Sequence, residues 1–257
     1  MFYWYLPHAY RQSSKRNYTH KYNRPACARA AMSKTNIAIF ASGSGSTAEA
    51  FIRDVQQNEQ LDVRLLICNN SQAYVLERVQ KLRAELGVNI ASATINSRTQ
   101  TSTKPITHGH QTDEEQEAIL RLLKQYKIDL VLLLGYMKLV GPKLLKAYGW
   151  QPQYKSVYEC RMLNTHPGLL PETIGTHGLS TQVYTLETGM KEAGQSLHAV
   201  SAEYDTGPVV AVHRVPVRAS DTAASLFARV QKAEKQHLAE DVRQFIYHQL
   251  QYRKEQT

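Results

Sequence analysis

Short apolar runs alternate with stretches of helical period from Asn36 almost to the end of the chain. Strands are predicted at Asn36–Ala41 (NIAIFA), Val63–Cys68 (VRLLIC), Val88–Ala93 and Asp129–Leu134 (DLVLLL). The last of these is unbroken apolar after Asp129, as expected of a central strand in a parallel sheet. Another strand is expected to end at Arg161–Leu163, and two more to lie near Ser196–Ala202 and Pro208–Val217. Helical period places Ala50, Phe51 and Val55 on one face, and Ile119, Leu122 and Leu123 on another. It predicts helices at about Ala73–Leu86, Asp113–Tyr126, Gly141–Tyr148, Leu179–Glu187 and Ala223–Tyr247. The polar stretch Ser97–Thr112, with Pro105 and Gly109, reads as a loop. This alternation predicts an α/β fold: an open, mostly parallel twisted sheet with helices on both faces and right-handed crossovers. Ligands in such sheets sit beyond the carboxyl ends of the strands.

Residues 1–35 break the pattern. They carry seven basic residues (Arg11, Lys15, Arg16, Lys21, Arg24, Arg29, Lys34) and no acidic one. The whole chain has a net charge of +9, so removing those seven leaves +2 for the remainder. The basic balance therefore belongs to a leader, and gives little reason to expect a nucleic-acid partner. The expected organisation is a basic, disordered leader over 1–35, one domain over 36–250 and a tail over 251–257. Residues 1–31 have a second reading as an organellar transit peptide, but Pro7, Pro25 and scattered tyrosines interrupt the amphipathic helix that one needs. A cytoplasmic protein is expected, with Met32 an alternative initiator. The three cysteines (Cys27, Cys68, Cys160) form no CxxC and read as reduced thiols. The longest apolar run, Ile128–Leu134, is too short to span a bilayer.

Chemistry concentrates in Met162–Pro171, MLNTHPGLLP. Asn164 and His166 stand two apart, so an extended chain turns both to one side. Pro167 keeps His166 out of a helix. An amide can hold a carbonyl oxygen as charge develops on it, and an imidazole can move a proton, which suits acyl-group transfer. Read alone, the stretch is equally a solvated Asn-His-Pro turn. Gly43–Thr47 (GSGST) follows the first strand and opens a helix, a favourable place for a phosphate. It also fits the dinucleotide spelling, but the second strand ends in Cys68-Asn69-Asn70, without the carboxylate that pattern needs. Glu203–Pro208 (EYDTGP) is either a turn held by Asp205 or the source of an acid that partners an imidazole. His198 is a core or a site residue. Gly135–Lys138 follows the central strand, where a pocket would be lined; its other reading is a plain turn with a solvated Lys138.

From Asn36 to about Phe245 the chain resembles the phosphoribosylglycinamide formyltransferases of purine synthesis. The resemblance is carried by SGSGS (Ser42–Ser46), GYMKLV (Gly135–Val140), LNTHPGLLP (Leu163–Pro171), Gly175-Thr176-His177, EYDTGPVV (Glu203–Val210) and RVQKAE (Arg229–Glu234), in the family's order. It implies a Rossmann-like formyltransferase fold and transfer of a formyl group from 10-formyltetrahydrofolate, as co-substrate, to the amine of phosphoribosylglycinamide, without a metal. It assigns catalysis to Asn164, His166 and Asp205. It assigns phosphoribosylglycinamide binding to Gly45, Ser46, Thr47, Gln231 and Glu234, and folate binding to Arg98, Met137, Lys138, Leu139, Val140 and Asn164.

Four departures from the family pattern stand out. Thr47 replaces a common Asn, and Lys138 a common Arg, which keeps the charge but not the fork. The loop Thr99–Thr112 and the segment between His177 and His198 are longer than usual. Other users of the same co-substrate are the alternatives: methionyl-tRNA formyltransferase, expected to need a further carboxyl-terminal domain, and formyltetrahydrofolate hydrolase, expected to need a regulatory domain ahead of the first strand. A non-catalytic folate- or nucleotide-binding module is the alternative from another class.

Overall fold

The computed structural model describes residues 34–58 and 60–257. The expected leader, with Cys27 and Met32, lies outside the described residues except for positions 34 and 35. Seven strands form one sheet: β1 (Thr35–Ala41), β2 (Leu61–Cys68), β3 (Ala91–Thr94), β4 (Leu130–Leu133), β5 (Met162–His166), β6 (Glu192–Ala199) and β7 (Val209–Pro216). Their order is β3-β2-β1-β4-β5-β6-β7. The first five are parallel; β6 runs antiparallel to β5, and β7 to β6. Among the described residues five α-helices connect them, α1 (Ser46–Val55), α2 (Tyr74–Leu86), α3 (Asp113–Gln125), α4 (Pro142–Tyr148) and α5 (Leu179–Glu187), and a sixth, α6 (Ala223–Glu255), follows β7. They form two groups, with α1 packed on α2 and α6, α6 on α5, and α3 on α4. No helix among the described residues is long and apolar enough to cross a membrane.

Local chemistry explains most of these boundaries. All four residues of β4 are buried between β1 and β5, hence its unbroken apolar spelling. Thr112 caps α3 by accepting the Glu115 N–H at 3.2 Å, and Asp113, Glu114 and Glu115 face the positive end of its dipole. Thr222 and Ser225 form a reciprocal capping box on α6. Gly87, at φ 66°, ends α2 in the left-handed conformation.

Four boundaries depart from expectation, each through tertiary pairing. β5 runs on through His166 because it has a ladder on both sides, β4 at Met162–Asn164 and β6 at Leu163–His166. β6 begins at Glu192 rather than Ser196; Glu192–Gln195 pair with His213–Pro216 although their spelling does not alternate. β3 is an edge strand of four residues, paired in the sheet with Leu65–Cys68 of β2. α6 continues past Tyr247 to Glu255, because Phe245, Ile246 and Gln249 are buried and Gln249 Nε2 donates to the carbonyls of Tyr158 (3.0 Å) and Cys160 (2.8 Å).

The order of strand addition reverses between β1 and β4, parallel neighbours although far apart in sequence. Crevices in open α/β sheets form at such a switch point. Here the carboxyl ends of β1, β4 and β5 lie side by side, carrying Ser42–Gly45, Gly135–Met137 and Asn164–His166.

Candidate active site

Gly45 holds the glycine loop in place. It adopts φ 71°, and a Cβ there would lie 2.3 Å from Val75 Cγ2, so the turn into α1 admits only glycine. Arg78 donates to the Ser44 carbonyl at 2.8 Å and pairs with Glu49, bracing the loop from α2. The next loop is tied to it: Ser42 N donates to the Gly135 carbonyl (3.0 Å), and Met137 N to Ser42 Oγ (2.8 Å).

On β5, Asn164 pairs with His198 and His166 with Ser196, so these side chains share one face of the sheet. The turn between β6 and β7 delivers Asp205 onto that face, with Asp205 itself at φ 58°, a conformation that aspartate tolerates better than most residues. Asp205 Oδ2 stands 3.4 Å from His166 Nδ1, and its Oδ1 3.3 Å from His198 Nε2. Asn164 Nδ2 donates to His198 Nε2 at 2.9 Å and, over a long 3.4 Å, to Asp205 Oδ1. His198 Nδ1 faces the Ala199 carbonyl at 3.0 Å and carries a hydrogen, because that carbonyl can only accept. The amide thus turns its NH2 end towards His198 and Asp205. The weak second bond to Asp205 is the one an incoming oxyanion can replace.

Charge in this cluster is set by burial against neighbours. Burial pushes the Asp205 carboxyl up, but His198 beside it and the charges of His166, His198 and His177 outweigh that and leave it lowered. Burial lowers His166, with Asp205 opposing. The resting pair is thus a carboxylate beside a neutral imidazole. Across the cleft, burial raises Glu234, although hydrogen bonds from Thr165 and Thr47 favour its ionised form; Thr47 Oγ1 donates to Glu234 Oε2 at 3.1 Å.

Two cavities meet here. A cleft of about 610 Å³ is lined by Gly45, Ser46, Thr47, Met137, His166, Gln231 and Glu234, among others. A niche of about 40 Å³ is walled by Leu133, Lys138, Leu139, Val140 and Val200. Asn164 and Asp205, with Tyr136 and Tyr204, border both. A polar pair at the junction of two pockets can act on a bond forming between two ligands.

All five residues expected at the phosphoribosylglycinamide side line the large cleft, and the three expected catalytic residues cluster. The folate-side set divides. Leu139 and Val140 line the niche and Met137 the cleft, while Lys138 reaches the niche with its charge turned inward. Its Nζ lies 2.6 and 2.7 Å from the two oxygens of Glu115, a fully buried carboxylate. Arg98 is exposed in the turn after β3, its N–H donating to Asn96 Oδ1 (3.0 Å), and borders neither cavity. The long loop 99–112 packs onto this side: Leu139 N donates to the Gly109 carbonyl (2.7 Å), and Gly141 N to Gln111 Oε1 (2.9 Å).

His198 is undecided in the sequence, and Ser42, Thr165 and Thr173 carry no role of their own there. Period-two spacing from Ser196 could have placed His198 opposite Asn164; nothing local marks the other three. Among the described residues no group of three or more His, Cys, Asp or Glu is disposed to hold a metal ion.

Known proteins resemble this chain over most of its length. The phosphoribosylglycinamide formyltransferase of Bacillus subtilis is 30% identical over 210 residues, covering 81% of this chain and 93% of that protein. The corresponding Escherichia coli enzyme is 34% identical over 200 residues, covering 77% and 81%. The crystal structure of phosphoribosylglycinamide formyltransferase from Bacillus halodurans superposes with a TM-score of 0.66 at 32% identity, covering 82% of this chain and 95% of that one. With residues 35–242 also matching the family's own pattern, the chain belongs to the formyl transferase family.

Proposed function

We propose that this protein transfers a formyl group from 10-formyltetrahydrofolate to the primary amine of phosphoribosylglycinamide, a step of purine biosynthesis. The observation that carries the reading is the junction: Asn164 and Asp205 border both a large polar cleft and a small apolar niche. The amine-bearing substrate fits the cleft, its phosphate at the start of α1 where Gly45, Ser46 and Thr47 present N–H groups. Gln231 and Glu234 line the same cleft, Glu234 directly beside Thr47.

The niche suits one edge of a flat heteroaromatic group: apolar walls from Leu133, Leu139, Val140 and Val200, with an amide and a carboxylate at its mouth. At about 40 Å³ it does not enclose such a ring, so the folate head requires the adjoining turn at Glu203–Tyr204 to yield. The folate supplies a formyl carbon bound to a nitrogen that can leave. Met137, Leu139 and Val140 would hold it, with Lys138 contributing backbone rather than charge.

As the amine attacks, its C–N bond forms and the carbonyl oxygen gains charge. Asn164 Nδ2 exchanges its long bond to Asp205 for one to that oxygen, an effect worth about 3–4 kcal/mol of barrier. His166 and Asp205 act as a pair. The proton shed by the attacking amine passes to His166 Nδ1, where the carboxylate stabilises the imidazolium, and then to the departing nitrogen. One proton is taken and one returned.

The span from β1 through α6, residues 35–255 rather than 36–250, carries the activity on this reading, with the basic stretch ahead of it a dispensable leader of a cytoplasmic enzyme; full turnover on expression from Met32 supports that division. The direct test supplies phosphoribosylglycinamide and 10-formyl-dideazafolate to the full chain and follows release of dideazafolate by absorbance. Absence of turnover by folded protein overturns the proposal.

A further inference from the structure

His166 is 3% exposed and both ring nitrogens are engaged: Nδ1 faces Asp205 Oδ2 at 3.4 Å, and Nε2 lies 2.9 Å from Thr173 Oγ1. Turning the ring over would set a C–H against each partner, so the two contacts select this orientation. Thr173 has a single hydroxyl hydrogen, and its Oγ1 donates to the Leu169 carbonyl at 2.9 Å. A carbonyl can only accept. The face that Oγ1 turns to His166 is therefore a lone pair, and Nε2 is the nitrogen that carries a hydrogen.

The surrounding turn is built around this hydroxyl. Thr173 is 1% exposed, its N–H donates to the same Leu169 carbonyl (3.0 Å), and Thr176 Oγ1 donates to the Thr173 carbonyl (2.7 Å). A Cβ on Gly168 would lie 2.2 Å from Thr173 Oγ1, so the absent side chain at Gly168 makes the room that the hydroxyl occupies. The Thr173 backbone also bonds the ring and favours its charged form, but the hydroxyl is the partner set against Nε2 at 2.9 Å; once it is removed, a neutral imidazole beside a carboxylate is expected to place its one hydrogen on Nδ1, facing Asp205.

We propose that Thr173 is a positioning residue: it keeps a hydrogen on His166 Nε2, so that the proton exchanged during formyl transfer is the one on Nδ1, beside Asp205. The proposal rests on the function above and adds which nitrogen works and what selects it. The charged or titratable groups acting on the ring are Asp205 from the β6–β7 turn, His198 from β6 and His177 from the segment before α5. None of them contacts Nε2 in place of Thr173.

The test compares wild type, Thr173→Val, Thr173→Ala and Thr173→Ser as full chains. ¹⁵N-labelled histidine reports the tautomer of His166 by NMR, and steady-state kinetics give kcat and both KM values across pH. Expected in the wild type is a hydrogen on Nε2. Val or Ala should shift it to Nδ1, lower kcat about tenfold with KM within about twofold, and move the acid limb of the kcat profile to lower pH. Ser should restore all three. Should Val fail to fold, the Ala–Ser pair decides. A wild-type tautomer in the Ala or Val variant, or a loss of kcat that Ser does not restore, overturns the assignment. The tautomer is read without turnover. An inactive wild type with Nε2–H would thus sink only the functional reading, and an active one with neutral Nδ1–H only this inference.

Discussion

Adding a single methyl at Gly207 tests whether the position of Asp205 matters as much as its charge. Gly207 is buried against β6, and a Cβ there would lie 1.8 Å from the Ala199 carbonyl oxygen and 2.8 Å from its carbon. That carbonyl cannot retreat: Ala199 is paired with Leu163 in the sheet, its N–H donates to the Pro208 carbonyl at 2.9 Å, and its oxygen holds His198 Nδ1. Ordinary contact is then short by about 1.5 Å, and the turn must lift by that much. Asp205, two residues earlier, rides with it, away from contacts that are already 3.3–3.4 Å long. Misplacing a catalytic group by about 1 Å costs roughly 10²-fold, and the forced shift should destabilise by about 1–3 kcal/mol. Gly207→Ala is therefore expected to lower kcat about 10²-fold with smaller changes in KM, and to move the urea midpoint modestly. Repeating the change on an Asp205→Ala background separates mechanism from damage. If Gly207 acts by placing Asp205, the second methyl should lower the residual kcat by less than about threefold. A folded Gly207→Ala protein with wild-type kcat, or a full 10²-fold loss without Asp205, would refute the reasoning.

Asn164→Ala should reduce kcat by about 10²–10³ while leaving the urea midpoint near wild type, since the oxyanion donor is lost; undiminished turnover would count against the role. Lys138→Met leaves the buried Glu115 carboxylate unpaired and should destabilise by about 3–5 kcal/mol, whereas adding Glu115→Leu should recover most of it. Equal stability of the single and double variants in denaturant melts would show that the pair is not buried as described. Glu234, raised above its ordinary 4.5, binds its proton more readily folded than unfolded. Its contribution to stability thus grows as pH falls through the folded value towards 4.5 and is lost as pH rises. Glu234→Gln should raise the melting temperature near neutral pH, with the gain shrinking in acid; a gain independent of pH would contradict the shift. Asp205 and His166, both lowered, work the other way, their stability being lost as pH drops from the unfolded values of 3.8 and 6.5 through the folded ones.

Where the sequence was legible, one element carried its own signal. β1 and β4 spell buried strands, α3 shows its helical period through Ile119, Leu122 and Leu123, and the two-residue spacing of Asn164 and His166 brings both to one face. What stayed hidden depends on partners distant in sequence. Glu192–Gln195 become a strand only because β7 lies alongside. Lys138 reads as solvated until Glu115, 23 positions away, is seen to bury its charge. Thr173 looks like any loop threonine, since its role depends on a hydroxyl whose only hydrogen is committed to Leu169. Arg98, matched by motif, shows the converse: resemblance placed it at a ligand, and the described geometry does not bring it there.

The 33 residues of α6 amount to a rod about 50 Å long. Its first third supplies Phe227, Gln231 and Glu234 to the large cleft. Its last third is pinned through Gln249 to Tyr158 and Cys160, and through the Tyr252 hydroxyl to Glu159 at 3.0 Å. Such a rod cannot bend towards a ligand at one end without breaking its own hydrogen bonds, and a pivot would strain the anchors at the other. The rest of the cleft's lining comes from short turns, including Gly175–Gly178 and Tyr204–Asp205. On the proposed reading, α6 is the fixed jaw of the large cleft, and a substrate bound there would be gauged against a wall that does not give.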